Sequence, residues 1–472
     1  MRRTKIICTL GPACENKKML KEMMKAGMNV ARMNFSHGSH EEHQKRLDVF
    51  KKARDEIKMP VALLLDTKGP EIRTGKIKDD AVLLKDGENF IIYFKDVKGD
   101  EKGCSLSYKN LYLDVEPGGK ILIDDGLVAL KVDEVKDKDI YCTVLNGGTI
   151  GTKKGVNVPN AKIKLPSLTK KDVEDIKFAV RNDMDFIAAS FVRKAQDILE
   201  IRKILKKSGG SDIKIIAKIE NQEGIDNFDE ILKHADSVMV ARGDLGVEIP
   251  VEEVPTVQKE LIKKCFANNR NVITATQMLD SMIRNPRPTR AEASDVANAI
   301  CDGTSAIMLS GETAVGKYPV ESIKTMARIA EATENSINYW NLYDSIKHYF
   351  IPSPTYGICH AAFMTACDLR AAAIVVVTAS GQTAKMISGF RPMCPILVTT
   401  PDSKVQRQLS ISWGINAQLV SVAKNTDELF ETSMKKVIST KTAKKGDVVV
   451  IIAGSRTGVS GSTNTLKVEV IE

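Results

Sequence analysis

Two periods alternate along this chain. Residues 4–10, 28–33 and 61–65 are short runs rich in β-branched and other apolar side chains, and they read as buried strands. Between them lie segments of helical spacing: residues 17–26, closed by Gly27, and a helix to about residue 57 opened by the capping box Ser39 to Glu42. From about Gly69 to Pro166 the pattern changes to short strand-like runs punctuated by turns such as Asp86-Gly87, Pro117-Gly118-Gly119 and Asn146-Gly147-Gly148. No long amphipathic helix interrupts it, so a small all-β domain inserted in a loop is expected. The alternation resumes with a helix opened by Thr169, with Asp172 at the capping-box position. Five more strands follow at 185–189, 213–219, 237–241, 271–275 and 304–309, the last trailed by a helix from about Pro319 into the 340s.

Three strands before the insertion and five after it make eight βα units, the count of a TIM (β/α)8 barrel. A doubly wound sheet is the competitor, but the first strand ends in Leu10-Gly-Pro and lacks the dinucleotide-binding glycine fingerprint. A last segment, with a helix at 357–369 and strands at 371–377, 396–400, 417–420, 448–453 and an edge strand at 466–471, reads as a C-terminal open-sheet α/β domain. The expected division is therefore 1–69 and 168–345 for the barrel, 70–167 for an inserted β-barrel lid, and 346–472 for a C-terminal regulatory domain.

Chemistry in a TIM barrel sits where the strands end. Here those ends carry Arg32 and Asn34, Asp66 and Thr67, Ser190, Lys218 and Glu220, Asp244, Thr276, and Ser310 and Glu312. Lys218 and Glu220 share one parity of an otherwise apolar strand, so both project to the same side. Burying them is unfavourable unless they meet each other as a plain ion pair, or a ligand or metal. Structural pairs would scatter over both rims, whereas seven of the eight units place a polar group on one. Arg32 and Lys218 are anion ligands by chemistry, and Glu220 and Asp244 are hard oxygen donors suited to Mg²⁺. Asn34, Ser36, Asp66 and Thr67 form a second oxygen cluster that fits either a monovalent cation or a solvated loop end. No His or Cys is placed as a nucleophile. His37, His40 and His43 lie beside a helix start where they would cap or hydrate. The set points to phosphoryl transfer by positioning and charge neutralisation, with no covalent enzyme intermediate.

Composition narrows the partners. Among 472 residues, 43% are hydrophobic and 27% charged, and no apolar run approaches the roughly 20 residues a membrane helix needs. The apolar stretch 6–10 near the N-terminus is too short for a signal peptide. Nine cysteines without a CxxC pair argue against a disulfide framework or zinc site and fit a reducing cytoplasm. The net charge of +9 is dispersed and aromatics are only 5%, which favours small phosphorylated anions over nucleic acid. Gly311 to Lys317 nearly matches a P-loop, but Tyr318 stands where Ser or Thr is required. Two further glycine loops, Thr378 to Thr383 and Gly454 to Thr463, follow strands of the last domain and read as a second phosphate site or as ordinary turns.

The stretches Arg32 to His37, Asp66 to Gly75, Lys218 to Asn221, Met239 to Gly246, Thr274 to Met278, Pro286 to Glu292 and Met308 to Thr313 together resemble the pyruvate kinase family over essentially the whole chain. The resemblance implies transfer of the phosphoryl group of phosphoenolpyruvate to ADP, giving pyruvate and ATP. It implies that Glu220 and Asp244 hold Mg²⁺ (or Mn²⁺), that Lys218 neutralises the phosphoryl group in flight, and that Arg32 binds the same phosphate. Gly243, Asp244, Thr276, Ser190 and Ser310 would line the substrate site, with Thr276 near the enolate carbon that gains a proton. Asn34, Ser36, Asp66 and Thr67 match the family's K⁺ ligands, and Glu71 matches K⁺-dependent members. Nucleotide binding is implied for Asn34, Ser36, His37, Arg73 and Lys154, with Asp125 carried toward the cleft by the lid. A phosphorylated effector is implied at Thr378, Ser380, Gly381, Gln382, Thr383, Arg456 and Gly461, and a homotetramer as the assembly. With Glu472 as the last residue, the resemblance is expected to be to members that lack the extra C-terminal domain some bacterial ones carry. The rival reading is another phosphoenolpyruvate- or pyruvate-using enzyme on a metal-bearing barrel, such as a lyase or aldolase, which needs neither a lid nor a nucleotide-facing Lys. A catalytically dead metabolite sensor is the rival of another class.

Overall fold

The structure, a computed structural model, describes residues 2–347, 353–454 and 463–472. Eight parallel strands close into a barrel: β1 (Lys5–Thr9), β2 (Val30–Asn34), β3 (Ala62–Asp66), β4 (Phe186–Ala189), β5 (Lys214–Ile219), β6 (Ser237–Ala241), β7 (Asn271–Ala275) and β8 (Ala306–Leu309), with β8 returning to β1. Their β-branched and apolar residues are buried on both faces, as parallel strands between a packed lumen and a ring of helices must be. The lumen holds Ile7, Val30, Ala62, Leu64, Ala188, Ile216, Met239, Ile273, Ala306 and Met308. Ile411, from the C-terminal segment, joins this cluster.

Between β3 and β4 the chain leaves the barrel. The inserted strands make a seven-stranded sheet and a separate two-stranded sheet over their own core of Phe90, Ile121, Leu130, Ile140 and Ile150. The two outer strands of the seven-stranded sheet meet as well: Gly75 N–H donates to the Ser105 carbonyl at 2.7 Å and Ser107 N–H to the Arg73 carbonyl at 2.8 Å, across an antiparallel bridge between Thr74 and Leu106. The sheet's short strands leave the two-stranded pair, Ala81–Leu84 with Gly148–Gly151, outside the ladder. The last five strands, β9 (Ala373–Val377), β10 (Ile396–Thr400), β11 (Ile415–Leu419), β12 (Val448–Gly454) and β13 (Thr463–Val470), form a sheet in the order β11-β10-β9-β12-β13, with only β13 antiparallel. The helix expected to run from Pro319 into the 340s is two helices, Pro319–Ser336 and Tyr339–Ile346. Asn338 caps the second by accepting from the Asn341 N–H.

Ion pairs lock the C-terminal segment to the barrel rim opposite the candidate site. Arg407 pairs with buried Asp185 at 2.8 Å, and Lys404 reaches Asp183 at 2.8 Å. Lys5 Nζ donates to the Ile415 carbonyl at 2.6 Å.

Candidate active site

Strand parity builds the site. Thr9, Arg32, Asp66, Ser190 and Lys218 each follow a lumen residue two positions earlier (Ile7, Val30, Leu64, Ala188 and Ile216), so they form the next inward-facing layer of the barrel. Where the lumen opens, that layer becomes polar. Register brings the members level: Thr9 stands opposite Arg32, Asn34 opposite Asp66, and Ala188 opposite Asp66.

Asp66 is the hub. Its Oδ2 accepts from Arg32 Nε at 2.6 Å, and its Oδ1 lies 3.2 Å from Lys218 Nζ. Lys218 also donates to Ser190 Oγ at 2.7 Å and lies 2.9 Å from Glu220 Oε1. Burial would lower the Lys218 pKa, but the carboxylates of Asp66 and Glu220 outweigh it and hold the ammonium well above its usual range. Burial likewise acts to raise Asp66, yet Arg32 and Lys218 hold it below the ordinary carboxylate value. Glu220 is pushed the other way, up to about 7, by burial and the negative charge of Asp244 against the pull of Lys218.

Glu220 Oε2 accepts the Phe191 N–H at 2.6 Å, whereas buried Oε1 has only the Lys218 ammonium, at 2.9 Å, as its partner. Two cations thus face three carboxylates, Asp66, Glu220 and Asp244. Carboxylate oxygens in excess of the cations beside them are the donor chemistry a hard divalent cation takes. Glu220 and Asp244 therefore fit Mg²⁺, a two-carboxylate site. Among the described residues no group of three or more His, Cys, Asp or Glu is arranged for a metal.

The monovalent-cation candidates also come together. Thr67 N–H donates to the Ala188 carbonyl at 3.0 Å, and Asn34 Oδ1 accepts the Ser36 N–H at 3.1 Å. Here Asp66 is committed to Arg32 and Lys218. Gly69, at φ +71°, lets the chain turn tightly here. A Cβ on it would stand 2.9 Å from the Ser190 Cβ.

Thr276 has φ +73°, a strained conformation for a β-branched residue. Its Oγ1 accepts the Gly243 N–H at 2.7 Å and donates to the Ala275 carbonyl at 2.6 Å. Arg242 holds it there, donating to the Thr276 carbonyl at 2.8 Å while forked onto Asp295 at 2.6 and 2.7 Å.

A cleft of about 570 Å³ opens between insert and barrel, lined among others by Arg73, Asp125, Lys154, Phe191, Asp244 and Glu248. Arg73 is held by Glu71 at 2.7 Å, and Lys154 pairs with Asp124 at 2.8 Å. Burial and then the charge of Asp244 raise the Asp125 pKa, which sets the insert's acidic turn against the barrel's acidic loop.

Some expectations change. His43 does not hydrate: it is buried, stacked on Phe35 at 3.9 Å between ring centroids, with Nε2 on the His37 carbonyl at 2.8 Å. The apolar face of the helix that follows the capping box carries it inward. His40 pairs with buried Asp175, and His37 stays exposed. Glu312 serves the backbone, accepting the Leu279 and Ser310 N–H groups at 3.0 and 2.7 Å, so the P-loop-like stretch closes on itself. Thr9, which accepts from Arg32 Nη1 at 2.9 Å, and the Arg242–Asp295 fork had no local signal in the sequence.

In the C-terminal segment, Thr378 Oγ1 accepts the Gly381 N–H at 3.0 Å, with Gly381 at φ +79°, and Gln382–Phe390 forms the helix that follows. Thr383 Oγ1 meets Thr463 Oγ1 at 2.6 Å, which ties this loop to the start of β13. Ser380 is half-buried and Gln382 exposed, while Arg456 and Gly461 lie outside the described residues.

Known proteins share this architecture. The chain matches the family described as "Pyruvate kinase, barrel domain" over residues 1–323 and "Pyruvate kinase, alpha/beta domain" over residues 357–469. It is 50% identical to a pyruvate kinase of Clostridium acetobutylicum over 473 residues, covering 100% of both chains. It is 51% identical to one of Geobacillus stearothermophilus, covering 100% of this chain and 80% of that one. The crystal structure of a pyruvate kinase from Cryptosporidium parvum superposes with a TM-score of 0.96 at 39% identity, covering 100% of this chain and 96% of the other.

Proposed function

The chain belongs to the pyruvate kinase family, and on that premise we propose that Arg32, Lys218, Glu220, Asp244 and Thr276 carry phosphoryl transfer from phosphoenolpyruvate to ADP. The observation that carries this reading is the buried Lys218 ammonium, held by Asp66, Glu220 and Ser190 at the barrel mouth. A phosphoryl group crossing between two oxygens carries charge that must be met without reorganisation, and a fixed ammonium in a dry site does this.

Arg32 binds the same phosphate and is aimed by Asp66 and Thr9. Glu220 and Asp244 would hold Mg²⁺ or Mn²⁺, which would supply fixed positive charge to offset the negative charge that develops during transfer. Gly243, Ser190 and Ser310 line the substrate pocket. Thr276, fixed by Arg242, presents its hydroxyl where the enolate carbon takes up a proton. Asn34, Ser36, Asp66 and Thr67 form the K⁺ site, with Glu71 beside it. His37, Arg73 and Lys154 take the nucleotide phosphates, and Asp125 moves with the lid.

The rival lyase or aldolase reading accounts for the metal ligands but leaves Arg73, Lys154 and the roofed cleft without a role. The activity test is ADP-dependent pyruvate formation with and without divalent ion and K⁺. The reading requires loss of turnover without Mg²⁺ or Mn²⁺ and stimulation by K⁺. Pyruvate formation indifferent to ADP would overturn it in favour of a lyase.

The loop at Thr378, Ser380, Gly381, Gln382 and Thr383 supports a phosphorylated activator, completed by Arg456 and Gly461. Loss of activation by sugar phosphates and nucleotides in Thr383→Val tests it, and an unchanged response would refute it. The assembly proposed is a homotetramer, in the cytoplasm. No helix among the described residues is long and apolar enough to cross a membrane.

A further inference from the structure

The cleft is roofed by the insert and floored by the barrel loops, and the groups facing across it are mostly acidic. The roof brings Asp124 and Asp125, at φ +55° each, and the floor brings Asp244 and Glu248. The turn lies close to the short helix Arg242–Glu248: a Cβ on Gly126 would stand 3.9 Å from Val247 Cγ1. The charge of Asp244 acts on Asp125 across the cleft, and repulsion between them opposes closure. Lys154 and Arg73 are also on the roof, but each is engaged there, with Asp124 and Glu71. One neutral side chain crosses the gap. Asn157, at the end of the inserted strand Gly155–Asn157, donates from Nδ2 to Glu248 Oε1 at 2.7 Å. Glu248 ends the same helix that carries Asp244 near its start, four residues earlier.

The other polar contacts from this part of the insert lie nearer its return to the barrel. Arg193 donates to the Ile163 and Leu165 carbonyls at 2.6 and 2.7 Å, and Ser167 meets Glu200. Those contacts anchor the hinge end. The Asn157 contact sits over the mouth, where a small rotation of the insert makes or breaks it.

We propose that Asn157 and Glu248 form a latch that holds the inserted lid closed over the barrel mouth, acting as positioning residues for phosphoryl transfer. The proposal rests on reading the barrel mouth as the reaction site. The carboxylate is chosen well for a latch: a hydrogen bond to a charged acceptor is stronger than a neutral one and is lost to water on opening. Burial and the Asp244 charge both push the Glu248 pKa up, and the Asn157 amide opposes them. Within the closed cleft it is the Asn157 hydrogen bond that favours the ionised carboxylate.

The test exchanges donor and acceptor. N157D sets carboxylate against carboxylate, whereas N157D/E248Q restores one hydrogen bond with its direction reversed and the pair's charge conserved. Two readouts are taken on the full-length protein: amide exchange of residues 155–157 without substrates, and steady-state kinetics. N157D is expected to speed exchange and to raise KM for ADP about tenfold, with kcat changed less than about threefold, because saturating substrate still draws the lid shut. The double variant is expected to return both readouts to within about threefold of wild type. N157A, which only removes the donor, should fall between the wild type and N157D, and thermal melting establishes that each variant is folded. A double variant no better than N157D, or an N157D protein with wild-type exchange and KM, would overturn the latch. The exchange readout needs no turnover, so failure of the latch is distinct from failure of the assigned reaction.

Discussion

Removing Arg242 should disable the site without touching a substrate ligand. Its guanidinium spans Asp295 and the Thr276 carbonyl, with a 13% exposed side chain against 37% for Asp295. In Arg242→Ala the half-exposed Asp295 hydrates, so little stability is lost through a stranded charge. The local consequence is larger. Thr276 sits at φ +73°, and a left-handed backbone costs about 1–2 kcal/mol in a residue with a Cβ. Among the described residues no other group donates to its carbonyl, and relaxation would carry Thr276 Oγ1 away from the Gly243 N–H that it meets at 2.7 Å. A shift of that size depopulates the working conformer by a factor of about 5–30. The expected result is a fall of that size in kcat/KM for phosphoenolpyruvate in a coupled pyruvate assay, with an unaltered divalent-ion requirement. Asp295→Asn, which keeps one acceptor, should lose less. An Arg242→Ala enzyme within about twofold of wild type, with the same thermal midpoint, would refute the view that this fork maintains Thr276.

Two further perturbations test the rim away from the site. Burial lowers the pKa of Lys5 to about 7, with Arg2 also lowering it and Glu334 opposing. The folded chain gives up that proton at lower pH than the unfolded chain, so stability rises with pH from about 7 toward the ordinary lysine value near 10.5. The denaturation midpoint of wild type relative to Lys5→Met should therefore climb between pH 7 and 9, and parallel profiles would contradict this. Arg407→Ala strands the buried Asp185 carboxylate, whose remaining donor is the Leu63 N–H at 2.8 Å, and should destabilise by about 3 kcal/mol in denaturant titration. A loss below about 1 kcal/mol, the range of an exposed pair, would mean that the pair contributes little to joining the two segments.

Much of this architecture was legible because the barrel repeats one rule. Eight apolar runs trailed by helices fix the count, and strand parity carries Arg32, Asp66, Ser190 and Lys218 into the lumen at its open end. What escaped depends on partners far apart in sequence. Arg242 finds Asp295, and Glu248 finds Asn157 across an inserted domain. The buried fate of His43 was hidden because a helix start looks exposed until Phe35 is seen packing on it. The break at Ile337–Asn338 was missed because apolar spacing continues across it, although the Asn338 cap is a readable stop-and-start signal. The meeting of the insert's two outer strands, at Thr74 and Leu106, joins residues that no single strand's sequence pairs.

The most direct measurement is turnover by Lys218→Met, with phosphoenolpyruvate, ADP, Mg²⁺ and K⁺ saturating. Methionine keeps the apolar stem and removes the ammonium that Asp66, Glu220 and Ser190 hold in place. If that charge meets the phosphoryl group in transit, kcat falls at least about a hundredfold, the scale of one electrostatic transition-state contact, while the protein stays folded. A folded Lys218→Met enzyme that turns over at close to the wild-type rate would contradict the central claim.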